Sequence, residues 1–239
     1  ERIWQETEQA MGSAAPDVYI RVLRDCGALK LLLPEVDRLF GVPQPPKHHP
    51  EVDTGLHTLL SLQQAAKLSD DPVVRYATLV HNVGKGVTDK AKWPSHFDHE
   101  QLGLPLLLDI NKRLHVPNQY SRLAALVCEH HTKQHRILEL RPATLLKLIE
   151  ALDGFRRPER VQKFLLACEA DARGRTGLEQ RDYPQSAYLK TVLNELSQLD
   201  VGSLLKEAKP ENPQEFVSQS RLKLLGDIVA RLNPSASTN

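Results

Sequence analysis

The stretch Leu79-Val80-His81-Asn82-Val83-Gly84-Lys85-Gly86 constrains this chain more than any other. An apolar run carries a histidine and its polar neighbour to a Gly-Lys-Gly break. Glycine is the residue on which helices commonly stop, because it enters the left-handed region without strain. The pattern predicts a helix that ends here and presents its last side chains, His81 and Asn82, to a cleft.

The surrounding chain reads as all-α. Residues 1–11 predict a short amphipathic helix. Pro16 opens a second, with Val18, Ile20, Val22, Leu23, Cys26, Leu29 and Leu32 at helical spacing. Pro34 and then Gly41-Val42-Pro43-Gln44-Pro45-Pro46 break the pattern, so residues 43–54 read as a stiff proline-rich linker. Helical patterns resume at 55–69, 73–83, 98–114, 118–131, 142–152, 158–173, 183–198 and 214–232. Alternating strand patterns are scarce and aromatic residues make up only 5%, which argues against a sheet. Residues 234–239 read as a frayed tail.

Charge narrows the function classes. Thirty-one Lys+Arg against thirty Asp+Glu leave a net charge of +1, so no global field draws the chain to nucleic acid. Any RNA contact has to come from a local patch. Cys26, Cys128 and Cys168 sit in apolar helical patterns without metal-ligand spacing, and read as buried free thiols of a reducing cytosol. No apolar run approaches the ~20 residues of a membrane span. The chain starts at Glu1 without a methionine, and is expected to be a piece of something longer.

Spacing argues that distant histidines meet. His57 lies near the start of one predicted helix and His81 at the end of the next, with Asp70-Asp71-Pro72 turning the chain between them. Helices of similar length joined by a tight turn run antiparallel, so both histidines fall at one end of the bundle. The same holds for His99, which opens a helix, and His130-His131, which end the following one. Asp171 ends the helix that begins after Pro158, with Asp153 as its competitor. Imidazoles with a carboxylate suit a divalent metal such as Mn, Fe, Ni, Co or Zn. His99, His130 and His131 then read as phosphate-contacting or supporting groups. Arg173 and Arg175, just past Asp171, are candidates to grip phosphate as planar forks.

The His81-Asn82 stretch resembles the signature of the HD phosphohydrolases, with asparagine at the position of the aspartate. Three longer stretches extend the likeness: His49-Pro50-Glu51-Val52-Asp53-Thr54-Gly55-Leu56-His57-Thr58, Trp93-Pro94-Ser95-His96-Phe97-Asp98-His99-Glu100 and Glu169-Ala170-Asp171-Ala172-Arg173-Gly174-Arg175-Thr176-Gly177. Together with Arg24-Asp25-Cys26-Gly27-Ala28-Leu29 and Leu114-His115-Val116-Pro117-Asn118, these resemble the HD region of proteobacterial CCA-adding tRNA nucleotidyltransferases. Phe97 and Asp98 depart from the His-Gly pair expected there.

The resemblance implies an HD-domain helical bundle flanked by additional helices. It divides the chain into neck-like helices (1–42), the linker (43–54), an HD domain (55–175) and a helical tail (176–239). It implies a metal-dependent 2′,3′-cyclic phosphodiesterase, 2′-nucleotidase or phosphatase acting at the tRNA 3′ end. His57, His81, Asn82 and Asp171 would hold a divalent metal (Ni, Mn, Mg, Co or Fe), and Lys85 would contact phosphate. The expected partners are tRNA 3′ ends or 2′,3′-cyclic and 2′-phosphorylated nucleotides, an N-terminal nucleotidyltransferase domain absent here, and a second copy in a homodimer; the expected location is cytoplasmic, with no membrane contact. Nothing matches the nucleotidyl-transfer motifs, so the chain is not expected to add CCA by itself. Asn82 offers one neutral carbonyl oxygen where aspartate offers a charge, which weakens a metal site. The rival reading is a non-catalytic tRNA-binding or dimerisation body, using Arg21, Arg24, Lys30, Arg156, Arg157, Arg160 and Lys163 against phosphates.

Overall fold

The computed structural model describes residues 2–233, so the expected tail at 234–239 lies outside the described residues. Among these there are thirteen α-helices and no strand, and the all-α expectation holds. In chain order they are α1 (Arg2–Met11), α2 (Pro16–Asp25), α3 (Leu29–Leu32), α4 (Pro34–Asp37), α5 (Thr54–Leu68), α6 (Pro72–Val80) and α7 (His99–Leu114). Then follow α8 (Asn118–His135), α9 (Pro142–Ala151), α10 (Pro158–Arg173), α11 (Pro184–Leu196), α12 (Val201–Ala208) and α13 (Pro213–Leu232). Seven of the thirteen begin on proline, whose missing N–H is no loss in a first helical turn.

Four expectations need correction. The helix opened by Pro16 stops at Asp25, because Gly27 takes a left-handed φ of +75° and the chain restarts as α3. The helix carrying His130 and His131 continues one turn further, to His135. The eight residues of α12 had no counterpart in the expected helices. Cys26, at the turn after α2, is exposed; only Cys128 and Cys168 are buried thiols.

The chain divides into two compact units. One comprises the described residues up to Thr132 together with Gln162–Asp182. Its centre is an edge-to-face cluster of Trp4, Tyr76 and Tyr120, with ring centroids 4.8 to 6.0 Å apart. Beside it the buried Arg75 donates to the carbonyls of Met11 (2.8 Å), Ser13 (2.6 Å) and Ser69 (2.8 Å), tying the ends of α1 and α5 to α6. A lost partner here would strand a buried guanidinium, so these contacts fix geometry strongly. The other unit comprises Lys133–Val161 and the described residues from Tyr183 onward. There α9, α11 and α13 bury Leu145, Ile149, Leu189, Val192, Leu225 and Ile228. No helix among the described residues is long and apolar enough to cross a membrane.

Within the first unit, α5 packs on α6 through the turn that Asp71 closes by accepting from Val73 N at 2.8 Å. Two close approaches set the rest. A Cβ on Gly84 would collide with the His99 carbonyl and with the backbone of Gly103, so the turn after α6 lies directly against α7. A Cβ on Gly174 would collide with Ser61 Oγ and its backbone, so the chain leaving α10 lies directly against α5. These contacts bring four helix ends to one place.

Candidate metal centre

His57, on the first turns of α5, is fully buried; His81 caps α6 at 1% exposure and Asp171, near the end of α10, is 3% exposed. The carboxylate Oδ1 of Asp171 lies 2.8 Å from His57 Nε2 and 3.5 Å from His81 Nε2. Donor atoms that share an ion at ~2.1 Å sit about 3.0–3.4 Å from one another, and the two distances found here fall on either side of that range. The three expected groups, separated by up to 114 residues, are therefore assembled in one cage.

The backs of both imidazoles are fixed. His81 Nδ1 lies 2.6 Å from the Thr78 carbonyl, which can only accept, so Nδ1 carries the proton and Nε2 the lone pair. His57 Nδ1 faces the Gly174 carbonyl at 2.9 Å and Glu51 Oε1 at 3.1 Å, so it too carries a proton and aims Nε2 at Asp171. Burial pushes the His57 imidazole down, but hydrogen bonds to Asp171 and Glu51 outweigh it and hold the group above the usual histidine range. His81 is held below that range, chiefly by burial, against the pull of Asp171. The two imidazoles that flank the carboxylate are thus shifted in opposite directions.

Asn82 is 1% exposed, and its Nδ2 lies 2.6 Å from His81 Nε2. Its other amide atom, Oδ1, is buried without a hydrogen-bond partner. A half-turn of the amide exchanges the two atoms and would bring the carbonyl oxygen to the imidazole lone pair of His81. Two imidazoles, a carboxylate and the carbonyl of the amide so turned make a donor set that fits a divalent cation.

A second pair of histidines adjoins the cage, the His131 ring lying 5.1 Å from that of His81. His99 Nε2 and His131 Nε2 lie 3.2 Å apart, while their Nδ1 atoms face the carbonyls of His96 (2.8 Å) and Val127 (2.9 Å). Two lone pairs at that distance repel unless a proton or cation lies between them, although Thr132 Oγ1 can also donate to His131 at 3.5 Å. Burial, then the Lys85 charge, pushes His99 down to about 4. His130 is buried one position along, with Glu129 3.8 Å away.

Lys85 is buried and donates to Gln44 Oε1 at 2.7 Å, and burial lowers its amine to about 8 even against the pull of Asp171. Gln44, at 1% exposure, keeps its Nε2 without a partner. Arg175 reaches back to the His48 carbonyl at 3.3 Å, and its Nε is also buried without a partner. Arg173 is turned away, toward Glu169 (2.7 Å) and the Arg181 carbonyl (3.1 Å). Asp153 lies in the other unit, held by Arg156 at 2.6 Å and Arg157 at 3.2 Å, with Arg160 at 3.9 Å.

The proline-rich stretch supplies what spacing did not reveal. Instead of running free, it closes a β-bridge between Pro43 and Asp53 and buries Gln44 and His49. His49 Nδ1 lies 3.0 Å from Glu51 Oε1, and burial keeps this imidazole neutral at about 4. Glu51 itself is held well below the usual carboxylate range: hydrogen bonds from His49 and His57 outweigh the opposing effect of burial. None of these residues lies on a helix, so no periodicity marks them.

Residues 54–162 match the HD domain family. A multifunctional CCA protein of Teredinibacter turnerae is 52% identical over 209 residues, 87% of this chain and 51% of the relative. One from Thioalkalivibrio sulfidiphilus is 56% identical over 192 residues (80% and 47%), and one from Ectopseudomonas mendocina 51% identical over 236 residues (98% and 58%). The chain spans about half the length of the curated relatives it matches. It carries an HD domain and, over nearly all of its own length, is homologous to multifunctional CCA proteins.

Proposed function

We propose that the chain is the C-terminal, metal-dependent phosphohydrolase module of a multifunctional CCA protein, acting on 2′,3′-cyclic phosphates, 2′-phosphates or phosphomonoesters at tRNA 3′ ends. The observation that carries this reading is the cage of His57, His81 and Asp171 beside the orphaned Asn82 carbonyl. These four residues would hold the ion, whose chemistry when bound is to polarise a phosphoryl oxygen and lower the pKa of water.

The rest follows from the chain's own groups. Asp171 and Asn82 leave the cage with a single carboxylate, so it attracts a cation more weakly than an aspartate pair would. Lys85, buried at the lip of the cage and still protonated at neutral pH, attracts and orients a phosphate. His99, neutral and close to His131, is able to accept a proton from water or return one to a leaving oxygen. His130 stands behind that pair. Arg175 offers a further donor to phosphate, whereas Arg173 is committed to Glu169. The missing partner domain, dimer formation and the choice among Ni, Mn, Mg, Co and Fe belong to this proposal too.

The tRNA-binding alternative would draw on basic residues that pair with carboxylates in this structure. Arg21 pairs with Asp17 at 3.1 Å, Lys163 with Asp71 at 2.7 Å, and the Arg156–Arg160 cluster with Asp153. Hydrolysis of 2′,3′-cyclic AMP by the purified chain, with Mn²⁺ or Ni²⁺ added, tests the proposal. Metal-dependent turnover abolished by His81→Ala supports it; salt-sensitive tRNA binding without turnover or metal uptake replaces it with the alternative.

A further inference from the structure

We infer that Glu51 is the positioning residue of the cage: its carboxylate holds the proton-bearing side of His57 and thereby sets how well Nε2 serves as a ligand. The inference rests on the metal reading above for its functional meaning.

Three donors converge on this carboxylate. Oε1 lies 3.1 Å from His57 Nδ1 and 3.0 Å from His49 Nδ1, and Oε2 accepts from Thr176 N at 3.3 Å. Each donor comes from a different part of the chain. His57 begins α5, His49 belongs to the proline-rich stretch, and Thr176 follows the segment that delivers Asp171 and Gly174. Glu51 therefore joins the histidine ligand to the strand of chain that carries the carboxylate ligand. Its side chain is 3% exposed, so these bonds are shielded from water.

The trio His49, Glu51 and His57 is compact enough to suggest an ion of its own. Proton inventory argues otherwise. His57 turns Nδ1 toward Glu51, and that atom already donates to the Gly174 carbonyl at 2.9 Å. A second ion here would need His57 stripped of both ring protons. The trio is instead a chain of hydrogen bonds leading to one ligand. A carboxylate behind a ligating imidazole raises its basicity and locks its ring, and losing such a partner typically costs ~10–100-fold in metal affinity. The ring of His49, stacked edge-on against His57 with centroids 4.7 Å apart, closes the remaining side.

The test compares the intact chain with Glu51→Gln and Glu51→Ala by calorimetric titration with Mn²⁺, alongside proton NMR of the metal-free proteins. Glu51→Ala should weaken Mn²⁺ binding at least tenfold with unchanged stoichiometry, and Glu51→Gln, which keeps one acceptor oxygen, should weaken it less. In the metal-free proteins the His57 ring N–H resonance should move upfield and exchange faster in the same order. If Glu51→Ala does not fold, the Glu51→Gln pair of readouts decides. Wild-type affinity together with an unmoved resonance overturns the inference. If the wild-type chain takes up no Mn²⁺, the metal reading fails, and the resonance alone still decides whether Glu51 holds His57.

Discussion

His57 and Asp171 are 114 residues apart, yet their Nε2 and Oδ1 atoms meet at 2.8 Å in a buried pocket. The contact exists because Gly174 lets the end of α10 lie against α5 without a side chain between them. The cage is therefore a property of backbone packing as much as of its ligands.

Gly174→Ala should show this. A methyl group there would overlap Ser61 Oγ, N and Cα, and the helix backbone cannot move aside as a flexible side chain would. Overpacking of this kind costs ~1–3 kcal/mol. Urea denaturation should reveal a loss in that range, and Mn²⁺ affinity should fall with it because Asp171 is displaced. Unchanged stability and affinity would mean that the close approach is not maintained in solution.

Asn82→Asp is expected to raise Mn²⁺ affinity at least tenfold, or ~1.4 kcal/mol, by adding a charged oxygen where Asn82 has an orphaned carbonyl. Without metal, the same change places a second carboxylate near Asp171, so the metal-free variant should melt lower than wild type and regain the loss when Mn²⁺ is added. Turnover of 2′,3′-cyclic AMP should rise in parallel. A variant whose affinity, melting and turnover all match wild type would remove position 82 from the site.

How far the sequence revealed this site depends on the kind of contact. Helix ends leave a local trace, so the meeting of His57 and His81 followed from turns and antiparallel packing, whereas Asp171 stayed in competition with Asp153. Gln44, His49 and Glu51 left none. They sit in a stretch whose prolines read as a spacer, and their contacts to Lys85 and Thr176 span 41 and 125 residues. Likewise the break at Gly27 depends on a single left-handed residue inside an otherwise unbroken helical pattern. Arg173 and Arg175 look equivalent in sequence; only the fold turns one back to Glu169 and the other toward His48.

Lys85 gives a prediction that separates substrate binding from metal binding. Its amine is held by Gln44 rather than by a carboxylate ligand. Lys85→Met should therefore raise KM for 2′,3′-cyclic AMP at least tenfold, ~1.4 kcal/mol, while leaving Mn²⁺ affinity within about twofold. Equal losses in both would place the lysine in the metal cage itself.

His99 should make stability pH-dependent. Its folded pKa is depressed to about 4 from 6.5, by burial first and the Lys85 charge second. The unfolded chain then binds a proton that the folded chain refuses. The His99 contribution is complete above pH ~6.5 and is lost as pH falls toward ~4. One pH unit of depression is worth ~1.4 kcal/mol. Between pH 7 and 5 the urea midpoint of wild type should fall more than that of His99→Gln; His57, shifted upward, acts in the opposite sense in both proteins. Parallel pH profiles would show that His99 titrates normally.

The central claim is that His57, His81 and Asp171 share one ion. Anomalous X-ray scattering from crystals grown with Mn²⁺ addresses it directly. The account predicts one strong peak in contact with both Nε2 atoms, the Asp171 carboxylate and the Asn82 carbonyl oxygen. No peak there, with the His57–Asp171 hydrogen bond intact in the presence of excess Mn²⁺, would contradict it.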